Sequence, residues 1–396
     1  MTSPIHILYV HHAIGLGGAP NSLAFLINSL DPQAYKTTIL MPARDRNQQV
    51  KQLFLDAGAT VVEERHIRPF NGVNGCRCDS LRDRLYAILA ALPTCWAVRK
   101  HVRRIQPDIV HLNTSVLPFA AFGSRWASRK TPLVVHVRET LLTNWWGKLL
   151  GWLNRKSKPF FLGIDQNGLD SISAPVTRST VIRNFVNRAE FNPDAGDRSH
   201  FRNELNLDQH DIVFASIARI AASNGALELA RFLAEHQDQL PANAKFLVCG
   251  FEDRSSEYVA STLEAIEKSP QVFAVDYTTR VKDLIAAADV IVAPFRTAHS
   301  ARMVIEGAAM AKPCLVTDLP NLREQLEHEK SGFTFHFADP ASLLKPIRQF
   351  CSQPELLQEM SDEASRFAAE NFDDQTNARR TTTLYQQLLS QAKPKE

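Results

Sequence analysis

Along the chain, short runs of β-branched and apolar residues alternate with longer segments whose apolar positions recur at helical spacing. IHILYV (5–10) opens the series as a strand. A glycine-rich turn follows, then a helical pattern from Asn21 to Leu30, then the strand-like KTTILMP (36–42). DIVHLN (108–113) and PLVVHV (132–137) are further buried-strand candidates. Strands separated by amphipathic helices predict βαβ units, and so a parallel sheet with helices on both faces.

The rhythm restarts after Asn184. DIVFASIAR (211–219) reads as a strand, GALELARFLAEH (225–236) as a helix and AKFLVCG (244–250) as a strand. A helix from Ser256 to Lys268 leads to the strand VFAVD (272–276). RVKDLIAAA, DVIVAPF, ARMVIEGAAMA and PCLVTD then read as helix, strand, helix and strand. The expectation is an α/β protein of two similar halves, divided near NFVNRAEFNPDAGD (184–197), which is polar and carries Pro193 and Gly196. Open parallel sheets bind ligands outside the carboxyl ends of their strands. Two facing sheets therefore imply a ligand cleft between the halves. The tail from Leu356 to Gln391 is helical in pattern and long enough to return to the first half.

Composition narrows the function classes. The 396 residues suffice for two domains of roughly 150–200 residues each. A net charge of +3 is too small for nucleic-acid binding by bulk electrostatics. The six cysteines show no regular spacing. Cys76 and Cys78 form a lone C-x-C, so no zinc site is expected. Cys249 and Cys314 lie in apolar runs and read as core residues. A reducing, cytoplasmic setting follows. No basic residue precedes IHILYV, which does not read as a signal peptide. No apolar run reaches the roughly 18 residues of a spanning helix.

Several segments resemble one family. HSARMVIEGAAMAKPCLVTDLPNLREQL (299–326) is similar to the donor-site segment of the family-four retaining glycosyltransferases, the glycosyl transferases group 1. GLGGAP (15–20), VIRNFVN (181–187), SGFTF (331–335) and FDDQTNARRTTTLYQQLL (372–389) resemble the family in the same order. The resemblance implies two Rossmann-like domains facing across a cleft, the GT-B fold. Residues 1–187 would be the acceptor side, 188–375 the nucleotide-sugar donor domain, and 376–396 a C-terminal helix packing back on the first domain. It also implies sugar transfer from a nucleotide diphosphate sugar with retention. The acceptor would be a glycan or a lipid-linked molecule, as in polysaccharide biosynthesis.

The candidate donor site is the stretch from Ala298 to Glu306. A helix starting near Ser300 or Ala301 offers free N–H groups and a partial positive charge to a diphosphate, with Ser300 as a plausible cap. In the family, the glutamate at the place of Glu306 accepts hydrogen bonds from the ribose hydroxyls, a charge-assisted pairing. The bland alternative is a solvated helix residue. The family's second glutamate is replaced by Ala298, so His299 or another group would have to hold the sugar. Family members neutralise the diphosphate with an arginine and a lysine; Arg219 matches the first, while Asn224 stands for the second and loses a charge. Arg302 is the compensating candidate. No D-x-D pair occurs, so no metal or other cofactor is expected.

In the first half, Gly17 and Gly18 let the backbone approach a ligand closely or simply make a turn. Pro20 breaks the dinucleotide fingerprint. His136 ends a strand, where site residues sit; it reads as a group beside the donor sugar, as in family members, or as a bonded core histidine. Arg138 and Glu139 reach the acceptor or pair with each other, and His111 is a weaker candidate. RKHVRR (99–104) and LLTNWWGKLLGWLNRKSK (141–158), the latter with three tryptophans and four basic residues, carry an interfacial signature. They suggest a peripheral place on the inner membrane face, or an amphipathic packing helix. Two rivals stay open: a nucleotide-binding protein of this fold without turnover, and a nucleotide-sugar epimerase, since fold does not settle chemistry.

Overall fold

The computed structural model describes residues 3–12, 15, 17–73, 80–252 and 254–392. Cys76 and Cys78 lie outside them. The chain divides into two compact units, one of residues 1–185 with 374–396 and one of residues 186–373.

The first unit contains strands β1 (Ile5–Val10), β2 (Tyr35–Met41), β3 (Thr60–Glu63), β4 (Ile109–Leu112), β5 (Leu133–Val137), β6 (Phe160–Gly163) and β7 (Ser179–Val181). Between them run helices α1 (Gly18–Asn28), α2 (Gln48–Asp56), α3 (Leu81–Leu89), α4 (Ala91–Ile105), α5 (Pro118–Ala127), α6 (Trp145–Lys156) and α7 (Gln166–Ser171). The strands pair in the order β3-β2-β1-β4-β5-β6-β7, all in parallel. Strand periodicity decides which core each residue joins. In β1, Leu8 and Val10 join the cluster beneath α4, α5 and α6. Ile7 and Tyr9 join the cluster beneath α1 and α2 on the other face.

The second unit repeats this plan. Its strands are β8 (Ile212–Ile217), β9 (Ala244–Phe251), β10 (Val272–Asp276), β11 (Val290–Ala293), β12 (Cys314–Thr317) and β13 (Gly332–Phe335), in the parallel order β10-β9-β8-β11-β12-β13. Its helices are α8 (Arg198–Glu204), α9 (Ala226–Glu235), α10 (Glu257–Glu267), α11 (Val281–Ala287), α12 (Arg302–Ala309), α13 (Pro320–Arg323), α14 (Pro340–Ser352) and α15 (Pro354–Asn371). The small residues of α12 allow a tight fit: a Cβ on Gly307 would lie 2.5 Å from Ile291 of β11. Ala308 and Ala309 pack with Ala364, Phe367 and Ala368 of α15. Cys249 and Cys314 are both buried.

The helical tail is two helices, not one. After α15 the chain breaks at Phe372 and Asp373, and α16 (Asp374–Ala392) belongs to the first unit. The break is held because Val186 N–H donates to the Phe372 carbonyl at 3.0 Å, and Val186 bridges Asp373. That pairing keeps 186 and 373 in one unit, so each boundary falls two residues before the expected one. In the first unit, Tyr385 of α16 is buried in the cluster that holds Tyr9.

Candidate functional site

In the second unit the sheet order reverses between β8 and β11. Ligands of open parallel sheets lie outside the carboxyl ends of strands at such a switch point. The loop after β8 carries Arg219 and Asn224; the loop after β11 carries Ala298, His299 and Ser300. The loops are joined by the Arg296 N–H, which donates to the Ser223 carbonyl at 2.9 Å. Gly225, the cap residue of α9, has φ +72°. A Cβ there would stand 1.8 Å from the Pro294 carbonyl oxygen, so only glycine permits this approach.

Arg219 is exposed. The Asn224 amide donates to the Arg219 carbonyl at 2.8 Å, so one of the two N–H donors that stand for a lysine ammonium is used inside its own loop. His299 stacks on Phe295 with ring centres 4.2 Å apart. Its Nδ1 lies 2.8 Å from the Thr297 carbonyl, an acceptor only, which puts the proton on Nδ1 and makes Nε2 an acceptor. Burial lowers the His299 pKa first; the Thr297 bond opposes this and the Arg219 charge adds to it. His299 is therefore a neutral acceptor beside Ala298, the position that lacks one.

One expectation about α12 needs correction. The helix starts at Arg302 with Ala301 as cap residue and no side-chain cap bond. Ser300 is not the cap: its Oγ accepts from the Gln325 amide at 3.1 Å, and the Ala301 N–H points to Gln325 Oε1 at 3.4 Å. A glutamine 25 residues onward has taken the capping role. Arg302 pairs with Glu306. Its Nε and a terminal nitrogen lie 2.9 and 2.7 Å from Glu306 Oε1, one helical turn along. Glu306 is buried, not solvated. Burial raises its carboxyl pKa, and the Arg302 guanidinium opposes the rise without cancelling it.

The first unit has its own switch point, between β1 and β4. His136 near the end of β5 is buried. His136 Nδ1 lies 3.2 Å from His111 Nε2, and His111 Nδ1 lies 2.6 Å from the Tyr385 hydroxyl, which sits 3.2 Å from that of Tyr9. His136 Nε2 is buried with no hydrogen-bond partner. The imidazoles of His136, His111 and His11 are all held below the ordinary histidine range, burial first and the Arg138 charge among the further causes. Neutral rings in a row make a chain of fixed polarity: whichever way the hydroxyl at one end points decides whether His136 Nε2 donates or accepts.

Arg138 and Glu139 do not pair with each other. Arg138 donates to Asn113 Oδ1 at 2.9 Å and Asn184 Oδ1 at 3.1 Å; Glu139 accepts from Thr114 Oγ1 at 2.7 Å and Ser115 Oγ at 3.0 Å. Gly17 has φ 175° and caps α1, which starts at Gly18. A Cβ on Gly17 would meet no atom within 4 Å, and the left-handed residue of that loop is Gly15 at φ +80°. His11, Asn113, Gln325 and Tyr385 were missed. His11 and Asn113 follow strands directly, so the rule that singled out His136 could have found them. Gln325 and Tyr385 carry no such signal.

Each unit is thus an open parallel α/β layer with polar side chains gathered at its switch point, and the second offers a cation, a glycine turn and a helix start. That defines a doubly wound α/β protein of two similar units. Two family models match in tandem: Glycosyl transferase 4-like domain over residues 17–194 and Glycosyl transferases group 1 over residues 197–367. The chain belongs to the glycosyl transferases group 1 family and has its GT-B fold. HepE of Anabaena, crystallised with UDP, is similar over 97% of this chain and 100% of its own (TM-score 0.79, 16% identity). A glycosyltransferase of Rickettsia africae ESF-5 is similar over 98% and 99% (TM-score 0.79, 15% identity). The Bacillus subtilis (strain 168) protein named "Putative glycosyltransferase EpsD" is 24% identical over 185 residues, 46% of this chain. The match spans about half the length of that relative, 48%.

Proposed function

We propose that this chain transfers a sugar from a nucleotide diphosphate sugar to a glycan or lipid-linked acceptor, with retention and without a metal, as a step of polysaccharide assembly at the cytoplasmic membrane face. The observation that carries the reading is the gathering of Arg219, His299, the α12 start and buried Glu306 on the loops and helix flanking the switch point of the second sheet. In this reading Arg219 and the backbone N–H groups of the first turn of α12, beyond the Ala301 N–H that Gln325 takes, hold the diphosphate. Glu306 accepts from the ribose through Oε2, the oxygen that takes no bond from Arg302. His299 Nε2 accepts from a sugar hydroxyl in place of the glutamate absent at Ala298. In the first unit, His136 Nε2 is the proposed partner of a sugar hydroxyl, and Arg138 and Glu139 shape the acceptor side.

HepE is described in complexes with UDP and with UDP-glucose, which makes uridine diphosphate sugars the first donors to test. The experiment is a thermal-shift screen of uridine, guanosine and adenosine diphosphate sugars. A ligand at a hundred times its Kd stabilises the native state by about 2.7 kcal/mol. If no nucleotide sugar moves the melting temperature, the donor site is misassigned. A second reading, nucleotide binding without turnover, is favoured by Ala298 and by the Asn224 amide using one N–H on the Arg219 carbonyl. Binding with neither donor hydrolysis nor transfer would select it.

A further inference from the structure

Helices α3 to α6 of the first unit bury one side in a common core, through Ala87, Val98, Ala120, Ala121, Trp146 and Leu150. Their outer sides therefore form one face. Ten of the thirteen large apolar side chains exposed among the described residues stand on it; Leu89 and Leu92, at the turn from α3 to α4, are 75% and 80% exposed. All five tryptophans of the chain lie on α4, α5 and α6. Trp146 is buried against Phe70, while Trp96, Trp126, Trp145 and Trp152 are exposed. A concentration of this kind on one face of a water-facing unit marks an interaction surface.

Charge says what the surface meets. Residues 80–106, 118–130 and 141–158 hold thirteen Lys and Arg against the single acid Asp83, while the whole chain holds 45 basic and 42 acidic residues. The remainder is net acidic, so the positive charge is gathered here. Several of these cations lie over the indoles: Arg99 is 4.3 Å from the Trp126 ring centre, Lys156 5.3 Å from Trp152 and Lys100 5.8 Å from Trp96. Basic heads beside half-exposed indoles suit the boundary between phosphate headgroups and acyl chains. Beside the ends of α5 and α6, Arg129, Lys156, Lys158 and Arg178 line a cavity of about 530 Å³, room for a phosphodiester headgroup. A second copy of the chain fits poorly, because a two-fold contact would set this cationic face against itself.

We infer that the outer face of α3–α6 docks the chain on an anionic phospholipid bilayer, with the exposed leucines of α3 and α4 at the acyl boundary and the basic residues of α4–α6 on the headgroup phosphates. This deepens the transferase reading by naming where its acceptor is presented. Lipid binding and nucleotide-sugar binding are measured separately, so either can fail alone.

The test is vesicle sedimentation with parallel tryptophan emission, using phosphatidylcholine alone and an equimolar mixture with phosphatidylglycerol. Because every tryptophan lies on these helices, emission reports on this face. The expected result is salt-sensitive binding to the anionic vesicles with a blue shift, and little binding to phosphatidylcholine. The exposed double variant Arg103→Gln/Arg104→Gln should bind about 25-fold more weakly, each charge near the surface being worth about fivefold, or about 1 kcal/mol. Leu89→Gln/Leu92→Gln should lose the blue shift. Both should keep the wild-type thermal shift with a bound nucleotide sugar. Absence of binding to anionic vesicles at low salt, binding indifferent to both variants, or a dimer that the leucine variant dissociates would each overturn the proposal.

Discussion

Replacing Tyr385 by phenylalanine removes one oxygen atom from the buried chain Tyr9–Tyr385–His111–His136 and tests whether α16 sets the polarity of His136. His111 is fully buried, so no water can replace the hydroxyl now 2.6 Å from its Nδ1. A buried polar atom left unsatisfied costs about 1–3 kcal/mol. The Tyr9 hydroxyl loses its partner at 3.2 Å as well, worth about 0.5–1.5 kcal/mol more. Tyr385→Phe should thus lower stability by about 2–4 kcal/mol, read as a lower urea midpoint at unchanged slope. Adding Tyr9→Phe should cost less than the sum of the singles, because the two hydroxyls share one bond. Stability alone would not separate a packing role from control of His136. Steady-state transfer does: with the polarity of His136 released, kcat should fall on the order of tenfold while KM for the nucleotide sugar stays near wild type. A variant within about 0.5 kcal/mol of wild type, the scatter of ordinary surface changes, would refute the buried chain. Normal stability loss with unchanged kcat would refute its link to catalysis.

Three further outcomes are expected. Folded His11, His111 and His136 titrate below the ordinary value of 6.5, His111 near 3; the unfolded chain takes up protons first as pH falls, so stability present above about pH 6.5 is lost below it, by about 1.4 kcal/mol per pH unit per histidine. Melting curves from about pH 7.5 to about pH 5 that show no loss would contradict this. Gly225→Ala must adopt φ +72° with its Cβ 1.8 Å from the Pro294 oxygen; it should destabilise the second unit by at least about 2 kcal/mol and weaken nucleotide binding together with it, as calorimetric unfolding and titration would show. Glu306→Gln keeps a hydrogen bond to Arg302 but loses the charge proposed to grip the ribose, so nucleoside diphosphate affinity should drop about tenfold. Because burial raises the Glu306 pKa, its ionised form opposes folding near neutrality, and the melting temperature of this variant should not fall; a lower one would mean that the pair with Arg302 outweighs desolvation.

What the sequence reveals follows the range of the forces involved. Hydrophobic period is local, so the long strands and both α/β rhythms are legible, and β10 runs over the residues expected, Val272–Asp276. The short segments β3, β6 and β7, of which β3 and β7 are the edges of the sheet, carry no such signal in the sequence. The break at Phe372 is invisible because its cause, the bond from Val186, lies far away in sequence. The site divides in the same way. Arg219 and Glu306 are nameable as candidates because a family pattern and a strand-to-helix step lie within a few residues of each. Ser300 is misjudged because the partner of its hydroxyl is Gln325, and the pair of Arg302 with Glu306 one turn away is not foreseen. Tyr385 reaches His111 across 274 residues, a contact no local rule contains. Candidate groups at strand ends are therefore readable, while the distant groups that hydrogen-bond them are not. Here those distant groups are Gln325 and Tyr385, which lie outside the two switch points and reach them through bonds that only the folded units bring together.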